Sequence, residues 1–254
     1  MRMRIVRFAV GKQPTYGVIE DSVVREVEGD IFGKFRVTRK RHALSRIKFL
    51  APTQPSKIVA VGLNYRDHAA ELKHDVPDEP IIFLKPPTAL LPHRGKIVYP
   101  KSCGRLDYEA ELGIIIKRTA RAVPSERALR YVLGYVCFND VTARDLQRKD
   151  GQWTRSKSFD TFAPVGPWVE TELNLSDAPI RAYLNGVIRQ DSNVNNFIFD
   201  VPYLIHFIST VMTLHPGDVI ATGTPSGVGP MQPGDTVEIE VEGIGRLNNA
   251  IVRG

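Results

Sequence analysis

Short runs of alternating apolar and polar residues dominate this chain and predict a β-rich protein. Alternation with a period of two places the apolar side chains of a strand on one face. The first fifty residues contain three such runs, 4–10, 16–20 and 23–27. We therefore expect a small N-terminal β domain over residues 1–50. Residues 51–56 carry two prolines and no periodicity, which indicates a linker, and the catalytic domain is expected over residues 57–254.

One hairpin and two helices are predicted within the second domain. Asn185-Gly186 stands between two alternating runs, which is a strong signal for a two-residue hairpin turn. Apolar residues recur at helical spacing over 201–212, and Asp200 precedes them as the expected N-cap. A shorter helix is expected over 125–133, with Gly134 at its end.

Three carboxylates next to apolar runs indicate a site for a hard cation. Glu109 and Glu111 are one residue apart ahead of the apolar run 114–116, so in a strand they would point to the same side. Asp140 follows a second apolar run, 135–138. Three oxygen ligands with no Cys or His nearby favour Mg²⁺ or Mn²⁺ over zinc. A strand with a solvated acidic face would show the same E-x-E spacing, so the surrounding motifs must decide.

Four motifs surround these carboxylates in a fixed order: Asp107-Tyr108-Glu109-x-Glu111-Leu112, Asn139-Asp140-Val141-x-Ala143-Arg144-Asp145-x-Gln147, Lys157-Ser158-Phe159-Asp160 and Gly223-Thr224-Pro225-x-Gly227-Val228-Gly229. Together they resemble the fumarylacetoacetate hydrolase family, over about 57–252. The resemblance implies a mixed α/β, β-rich fold, in which the sheet forms a barrel-like or roll-like body with few helices. Periodicity alone would not distinguish this fold from other β-rich folds.

The resemblance also implies roles around a bound metal. The three carboxylates would be ligands of Mg²⁺ or Mn²⁺, which binds the 2-oxo acid end of the substrate and stabilises an enolate there. Lys157 would be catalytic, as a positive charge beside the developing oxyanion. Arg144 and Gln147, which a helical turn would place on one face, would bind the substrate together with Thr224. The glycines beside Thr224 would allow turns that bring main-chain N–H groups close to an anion.

His68 and Glu71 are the second pair to which the resemblance gives a catalytic role. Their i, i+3 spacing would place them on one face of a short helix, where the carboxylate could hold the imidazole. Such a pair could activate water by general-base catalysis, although His-x-x-Glu is more often a surface pair. The charged, proline-bearing residues 73–80 suit a mobile cover. Residues 191–196 depart from the usual family wording, which weakens any substrate assignment that depends on them.

These features predict a Mg²⁺- or Mn²⁺-dependent enzyme that forms a metal-bound enolate from a 2-oxo or 2-hydroxydienoic acid. Hydrolysis of an acylpyruvate carbon–carbon bond, decarboxylation of an oxo diacid and isomerisation of 2-hydroxyhepta-2,4-diene-1,7-dioate all pass through an enolate. The His68 and Glu71 pair favours the first two over isomerisation, in the catabolism of aromatic compounds. The alternative from another class is a metabolite-binding relative without catalytic activity.

Composition bears on the size of the core, on the partners and on the location of the protein. The chain has 254 residues, of which 43% are hydrophobic, enough for a sizeable core. Its net charge is +6, but basic residues are dispersed apart from a cluster at 36–46. We expect no nucleic-acid partner, since a metal-dependent nuclease would need aromatic residues along a basic groove. Cys103 and Cys137 are too few for a disulfide framework, and no run could span a membrane. A cytoplasmic homodimer, the common state in the family, is expected.

Overall fold

The computed structural model describes residues 2–11, 13–73 and 75–254, and strands are its main elements. In chain order they are β1 Arg4–Val10, β2 Gln13–Glu20, β3 Val23–Gly29, β4 Phe35–Ala43, β5 Lys48–Phe49, β6 Ile58–Gly62, β7 Ile81–Lys85, β8 Leu90–Pro92, β9 Lys96–Tyr99, β10 Leu106–Tyr108, β11 Ala110–Ile116, β12 Val132–Asn139, β13 Thr142–Ala143, β14 Ala163–Glu170, β15 Pro179–Leu184, β16 Val187–Asn193, β17 Val219–Ala221, β18 Gly229–Met231, β19 Thr236–Val241 and β20 Gly245–Arg253.

Helices are few and short. The α-helices are α1 Arg66–Leu72, α2 Arg144–Asp150, α3 Thr154–Lys157 and α4 Val201–Val211. Single 3₁₀ segments cover Leu44–Arg46, Pro87–Ala89, Ser125–Tyr131 and Val194–Asn196. Within the described parts of the chain, no helix has the length and apolar character needed to cross a membrane. The β-rich mixed fold with few helices is confirmed.

The strands form three sheets. The largest runs in the order β4-β3-β2-β1-β14-β12-β11-β17-β6-β7, with β5 paired to β1 and β8 to β14. A small sheet has the order β13-β10-β18, and a third has the order β16-β15-β19-β20-β9. Among the residues described, these ladders do not close into a complete ring, so the roll is an open one.

The N-terminal strands continue the largest sheet. Strand β1 pairs antiparallel with β14, with Arg4 opposite Glu170 and Ile5 opposite Val169. Strands β1 to β4 then follow one another as antiparallel neighbours. The β character expected for this region is present, and its edge is joined to the rest of the sheet through β1. The division into domains at 51–56 stays a prediction.

Two of the acidic residues, Glu109 and Asp140, lie where the chain passes between the largest sheet and the small sheet. Glu109 lies between β10 of the small sheet and β11 of the large one. Asp140 lies between β12 and β13, which pair with β11 and β10 respectively. The Asp140 N–H donates to the Glu109 carbonyl at 3.0 Å. Neither residue therefore belongs to a strand. Both lie at a junction between sheets, next to β11, whose residues are all buried.

The predicted hairpin and the longer helix are confirmed. Leu184 pairs with Val187, and both Asn185 (φ 53°) and Gly186 (φ 77°) adopt the left-handed backbone that a type I′ turn requires. Helix α4 begins after Asp200, whose side chain accepts a hydrogen bond from the N–H of Tyr203 at 2.8 Å. This is the N-cap contact that the sequence predicted.

The helix expected over 125–133 is wrong in type and extent. A 3₁₀ segment ends at Tyr131, and β12 begins at Val132. Gly134 is therefore a strand residue and not the end of a helix. A Cβ atom there would lie 2.4 Å from the carbonyl oxygen of Glu170. A glycine is needed here because two backbones approach each other closely, which is a common reason for a glycine within a strand.

Candidate metal centre and active site

Three buried carboxylates form the centre of the site. Glu109, Glu111 and Asp140 each offer an oxygen atom, and these atoms lie within 4.8 Å of one another. The residues are 6%, 1% and 1% exposed. Their predicted proximity is confirmed, but a single strand does not carry both glutamates, because the chain changes sheets at Glu109.

Cationic side chains contact two of the three carboxylates. The Lys157 ammonium donates to Glu109 Oε2 at 2.8 Å and to Asp140 Oδ2 at 2.6 Å. The Lys85 ammonium donates to Asp140 Oδ1, and an Arg144 Nη2 group donates to Glu109 Oε1. Burial alone would raise the pKa of Glu109, but Lys157 and Arg144 outweigh burial and lower it to about 2.

Glu111 lacks such compensation. The one donor that contacts it among the described residues is the N–H of Gly223, at 2.9 Å. Burial, followed by the charges of Asp140 and Glu109, raises the pKa of Glu111 well above its ordinary value. A divalent cation would supply the missing positive charge, and three clustered carboxylates are the ligand set that Mg²⁺ and Mn²⁺ prefer. The residues present therefore fit such a metal.

Helix α2 brings together the predicted Arg144 and Gln147. Arg144 donates from Nε to Asp107 Oδ2 at 2.9 Å and from Nη1 to Gln147 Oε1 at 2.6 Å. Their shared helical face is confirmed. Since Arg144 also contacts Glu109, it fixes the orientation of that carboxylate. The Gln147 oxygen is occupied, so its NH₂ group is the part left for a ligand.

The glycine-containing loop 222–228 supports both halves of the site. The N–H of Gly223 contacts Glu111, and the N–H of Gly227 donates to Glu71 Oε1 at 3.1 Å. Gly227 has φ +92°, and a Cβ there would lie 2.3 Å from the Arg189 carbonyl oxygen. The expected approach of main-chain N–H groups to anions is thus found, with two carboxylates of the protein as the anions.

Thr224 lies between these two glycines and is oriented by Gln190. The Gln190 Nε2 group donates to Thr224 Oγ1 at 2.9 Å and to the Pro225 carbonyl at 2.8 Å. The threonine oxygen therefore acts as an acceptor within the protein. Its hydroxyl hydrogen remains for a ligand.

His68 and Glu71 form a contact at the mouth of the site. Both lie on α1, as expected for the i, i+3 spacing, and His68 Nδ1 lies 2.9 Å from Glu71 Oε2. An ionised carboxylate only accepts hydrogen bonds, so the neutral ring carries its proton on Nδ1. This leaves the lone pair on Nε2. The pair has the arrangement of a histidine base and an orienting carboxylate.

A cavity of about 390 Å³ joins these groups. Eight of the nine predicted site residues line it: His68, Glu109, Glu111, Asp140, Arg144, Gln147, Lys157 and Thr224. Glu71 does not line the cavity; it contacts His68, which does, and the N–H of Gly227. The remaining wall consists of Val61, Gly62, Leu63, Leu72, Ile81, Phe83, Arg148 and Trp153.

Lys85, which was not among the residues predicted from sequence, is 1% exposed and lies against Asp140. Burial lowers the pKa of Lys85, while the charge of Asp140 opposes that effect. A lysine that ends an apolar strand, Ile81–Lys85, was the available signal. Also missed was Asn139, whose Oδ1 accepts from the N–H of Glu109 at 3.0 Å. Both residues position metal-ligand candidates.

Two family descriptions match the chain. Residues 57–252 match "Fumarylacetoacetate (FAA) hydrolase C-terminal", and residues 3–52 match "Rv2993c-like, N-terminal". An uncharacterised protein of Archaeoglobus fulgidus is 53% identical over 90% of this chain and 90% of its own length. The mitochondrial oxaloacetate decarboxylase of Dictyostelium discoideum is 43% identical over 74% of this chain and 89% of its own length.

Solved structures are similar over nearly the whole chain. The 2-hydroxyhepta-2,4-diene-1,7-dioate isomerase of Mycobacterium marinum has a TM-score of 0.93 at 41% identity and covers 99% of this chain and 98% of its own. The maleylpyruvate hydrolase of Sphingobium, solved with manganese(II) and pyruvate, has a TM-score of 0.83 at 30% identity and covers 99% and 100%. By the match over residues 57–252 and by these relatives, the chain belongs to the fumarylacetoacetate hydrolase family.

Proposed function

We propose that the protein is a Mg²⁺- or Mn²⁺-dependent enzyme that forms an enolate from a 2-oxo or 2-hydroxydienoic acid. Two reactions are proposed. One is hydrolysis of a carbon–carbon bond in a substrate of the acylpyruvate or fumarylpyruvate type, and the other is decarboxylation. The observation that carries this proposal is Glu111, a buried carboxylate in a cluster of three that makes no ion pair with any residue the structure describes. Glu109, Glu111 and Asp140 would hold the cation, which supplies electrophilic stabilisation of the 2-oxo acid oxygens when bound.

The protein's own groups supply binding and proton transfer. Lys157 keeps its charge because Asp140 and Glu109 raise its pKa against the effect of burial, so a fixed positive charge lies beside the developing oxyanion. The Gln147 amide and the Thr224 hydroxyl are free to donate to the substrate's carboxylate and oxo groups.

His68 would accept a proton from the attacking water at Nε2. Glu71 would hold the ring through Nδ1 and stabilise the imidazolium that results. The N–H of Gly227 fixes Glu71 in turn, so the base is oriented by a chain of contacts. This arrangement suits hydrolysis, the proposed reaction that consumes water.

Isomerisation of 2-hydroxyhepta-2,4-diene-1,7-dioate is the second candidate. It is favoured by the similarity to the Mycobacterium marinum isomerase. The same base could move a proton between carbon atoms, with no water consumed. The products distinguish the candidates, because hydrolysis gives two smaller acids and decarboxylation gives carbon dioxide and one smaller acid, whereas isomerisation gives one acid of unchanged composition.

The test is a turnover assay after removal of metal with EDTA and restoration of Mg²⁺ or Mn²⁺. The panel contains acetylpyruvate, fumarylpyruvate, oxaloacetate and 2-hydroxyhepta-2,4-diene-1,7-dioate. We expect turnover of at least one acid with restored metal and none with EDTA. Turnover that is unchanged by EDTA, or no turnover of any acid with either metal, would contradict the proposal.

A further inference from the structure

The cavity has two chemically different ends. Charged groups occupy the inner end, where Glu111 and Lys157 lie. Apolar side chains line another part of the wall. The Phe83–Trp153 pair, in edge-to-face contact with ring centroids 5.1 Å apart, begins beside Lys157, whose ammonium lies 5.2 Å from the Phe83 ring. Leu72 and Ile81, 48% and 49% exposed, form the outer end. Apolar walls of this kind bury the carbon skeleton of a ligand. The cavity is therefore built for a chain that extends beyond the 2-oxo acid group.

Arg148 is a further cation on the cavity wall. It lines the cavity and is exposed, and its side chain makes no hydrogen bond or ion pair with any residue the structure describes. The cations at the inner end differ, since Lys157, Lys85 and Arg144 all contact carboxylates. Arg148 is thus the lining cation left available for an anion within the described chain.

Helical geometry sets the position of Arg148 relative to the metal end. It follows Arg144 by four residues on α2, so the two lie on one face, about 6 Å apart along the axis. Arg144 is committed to Glu109 and Asp107. A ligand whose oxo acid lies at the inner end would therefore reach Arg148 with a group several carbon atoms away.

We propose that Arg148 determines specificity by binding the second carboxylate of a dicarboxylic 2-oxo acid. The carbon chain would lie along Phe83 and Trp153, and the guanidinium would pair with the distal carboxylate. This inference rests on the proposed function for the orientation of the acid. It adds the substrate class, diacids over monoacids of equal length.

The test measures binding and turnover separately. Mn²⁺-loaded protein is titrated with 2-oxoadipate and with 2-oxohexanoate, which have the same length but two carboxylates and one. We expect wild type to bind the diacid about tenfold more tightly and Arg148→Gln to lose that preference, with no change for the monoacid. Lys149→Gln is the matched control, because Lys149 is the next residue, is exposed and does not line the cavity.

Turnover adds a second readout on fumarylpyruvate and acetylpyruvate. Arg148→Gln should raise KM about tenfold for the acid with a distal carboxylate and leave kcat within about twofold. Equal binding of both acids by wild type, or an equal loss for both in Arg148→Gln, would overturn the proposal. Absence of turnover in wild type would instead count against the proposed function, while the titration would still decide the role of Arg148.

Discussion

Two buried carboxylates, Asp218 and Glu111, differ in how far the protein itself satisfies them. Asp218 is fully buried and accepts five hydrogen bonds, from the N–H and hydroxyl of Ser56, the N–H and ammonium of Lys57, and the N–H of His215, at 2.6–3.2 Å. Glu111 is 1% exposed and accepts one hydrogen bond from the described residues, from the N–H of Gly223.

The pKa values of the two groups shift in opposite directions. Burial acts to raise the pKa of Asp218, but the donors from His215, Lys57 and Ser56 outweigh it and lower the pKa. At Glu111, burial and two neighbouring carboxylates act together and raise the pKa. A buried carboxylate that the protein saturates with donors is satisfied without a ligand, whereas one left deficient is a group that a bound cation would neutralise.

The sharpest way to break this comparison is to replace each carboxylate by its amide. We expect Glu111→Gln to lower metal-dependent turnover by about 10³-fold or more, because several kcal/mol of electrophilic stabilisation depend on the bound cation. Asp218→Asn removes a carboxylate of equal burial, and the folded fraction of that variant should keep wild-type kcat. Comparable kcat values for the two folded variants would refute the distinction.

The second prediction concerns the proposed base, His68, and not the cation. His68→Ala should lower kcat by about 10² to 10⁴, the usual range for a general base, and should leave Mn²⁺ affinity unchanged. His206→Ala is the control, since His206 also lies on a helix but contacts the Val123 carbonyl away from the cavity. Wild-type kcat in His68→Ala would make the pair structural and favour a reaction without this base.

For the free energy of unfolding, we expect Asp218→Asn to have the larger effect and Glu111→Gln the smaller one, the reverse of their order for turnover. Asp218→Asn leaves buried donors poorly matched and should lower the free energy of unfolding by about 2–4 kcal/mol. Glu111→Gln removes like-charge repulsion, so the metal-free protein should lose no stability. Urea unfolding of EDTA-treated proteins measures both changes. A larger loss in Glu111→Gln than in Asp218→Asn would show that Glu111 is the structural one.

The pH dependence of stability gives the smallest effect when it is expressed per pH unit, and it has opposite signs at the two sites. The stabilising contribution of Asp218 is present above its unfolded pKa of about 3.9 and is lost as pH falls through its lowered folded pKa. Ionised Glu111 destabilises the metal-free protein, so stability falls as pH rises above about 4.3 toward its raised folded pKa.

Urea unfolding between pH 3.5 and 7.5 compares wild type with each amide variant. Relative to Glu111→Gln, wild type should become less stable with rising pH, by at most about 1.4 kcal/mol per pH unit. Relative to Asp218→Asn, its advantage should shrink below about pH 4. If the stability difference from wild type had the same slope against pH for both variants, the distinction between Asp218 and Glu111 would be contradicted.

The parts predicted from sequence are those that depend on local spacing. Asn185-Gly186 specifies its turn, and Asp200 caps α4, because both act within a few residues. The carboxylate cluster could be predicted because the motif supplies Glu109 and Glu111 together. The break of the strand at Glu109 depends on pairing with segments far along the chain, which spacing does not reveal.

The missed features depend on contacts between distant segments. Lys85 is 55 positions from Asp140, and nothing in the strand that carries it names that partner. Gly134 resembles a helix end in sequence, but its role is set by the approach of Glu170 on β14. Arg148 follows Gln147, the last residue of a motif, but the sequence does not show that it lines the cavity and has no hydrogen bond or ion pair with any described residue.

The most direct test of the cation site is a Mn²⁺ titration followed by electron paramagnetic resonance, with EDTA-treated wild type, Glu111→Gln and Asp218→Asn. We expect one bound Mn²⁺ per chain in wild type and in folded Asp218→Asn, and affinity at least about 100-fold weaker in Glu111→Gln. Wild-type affinity in Glu111→Gln would contradict the claim that Glu109, Glu111 and Asp140 form the metal centre.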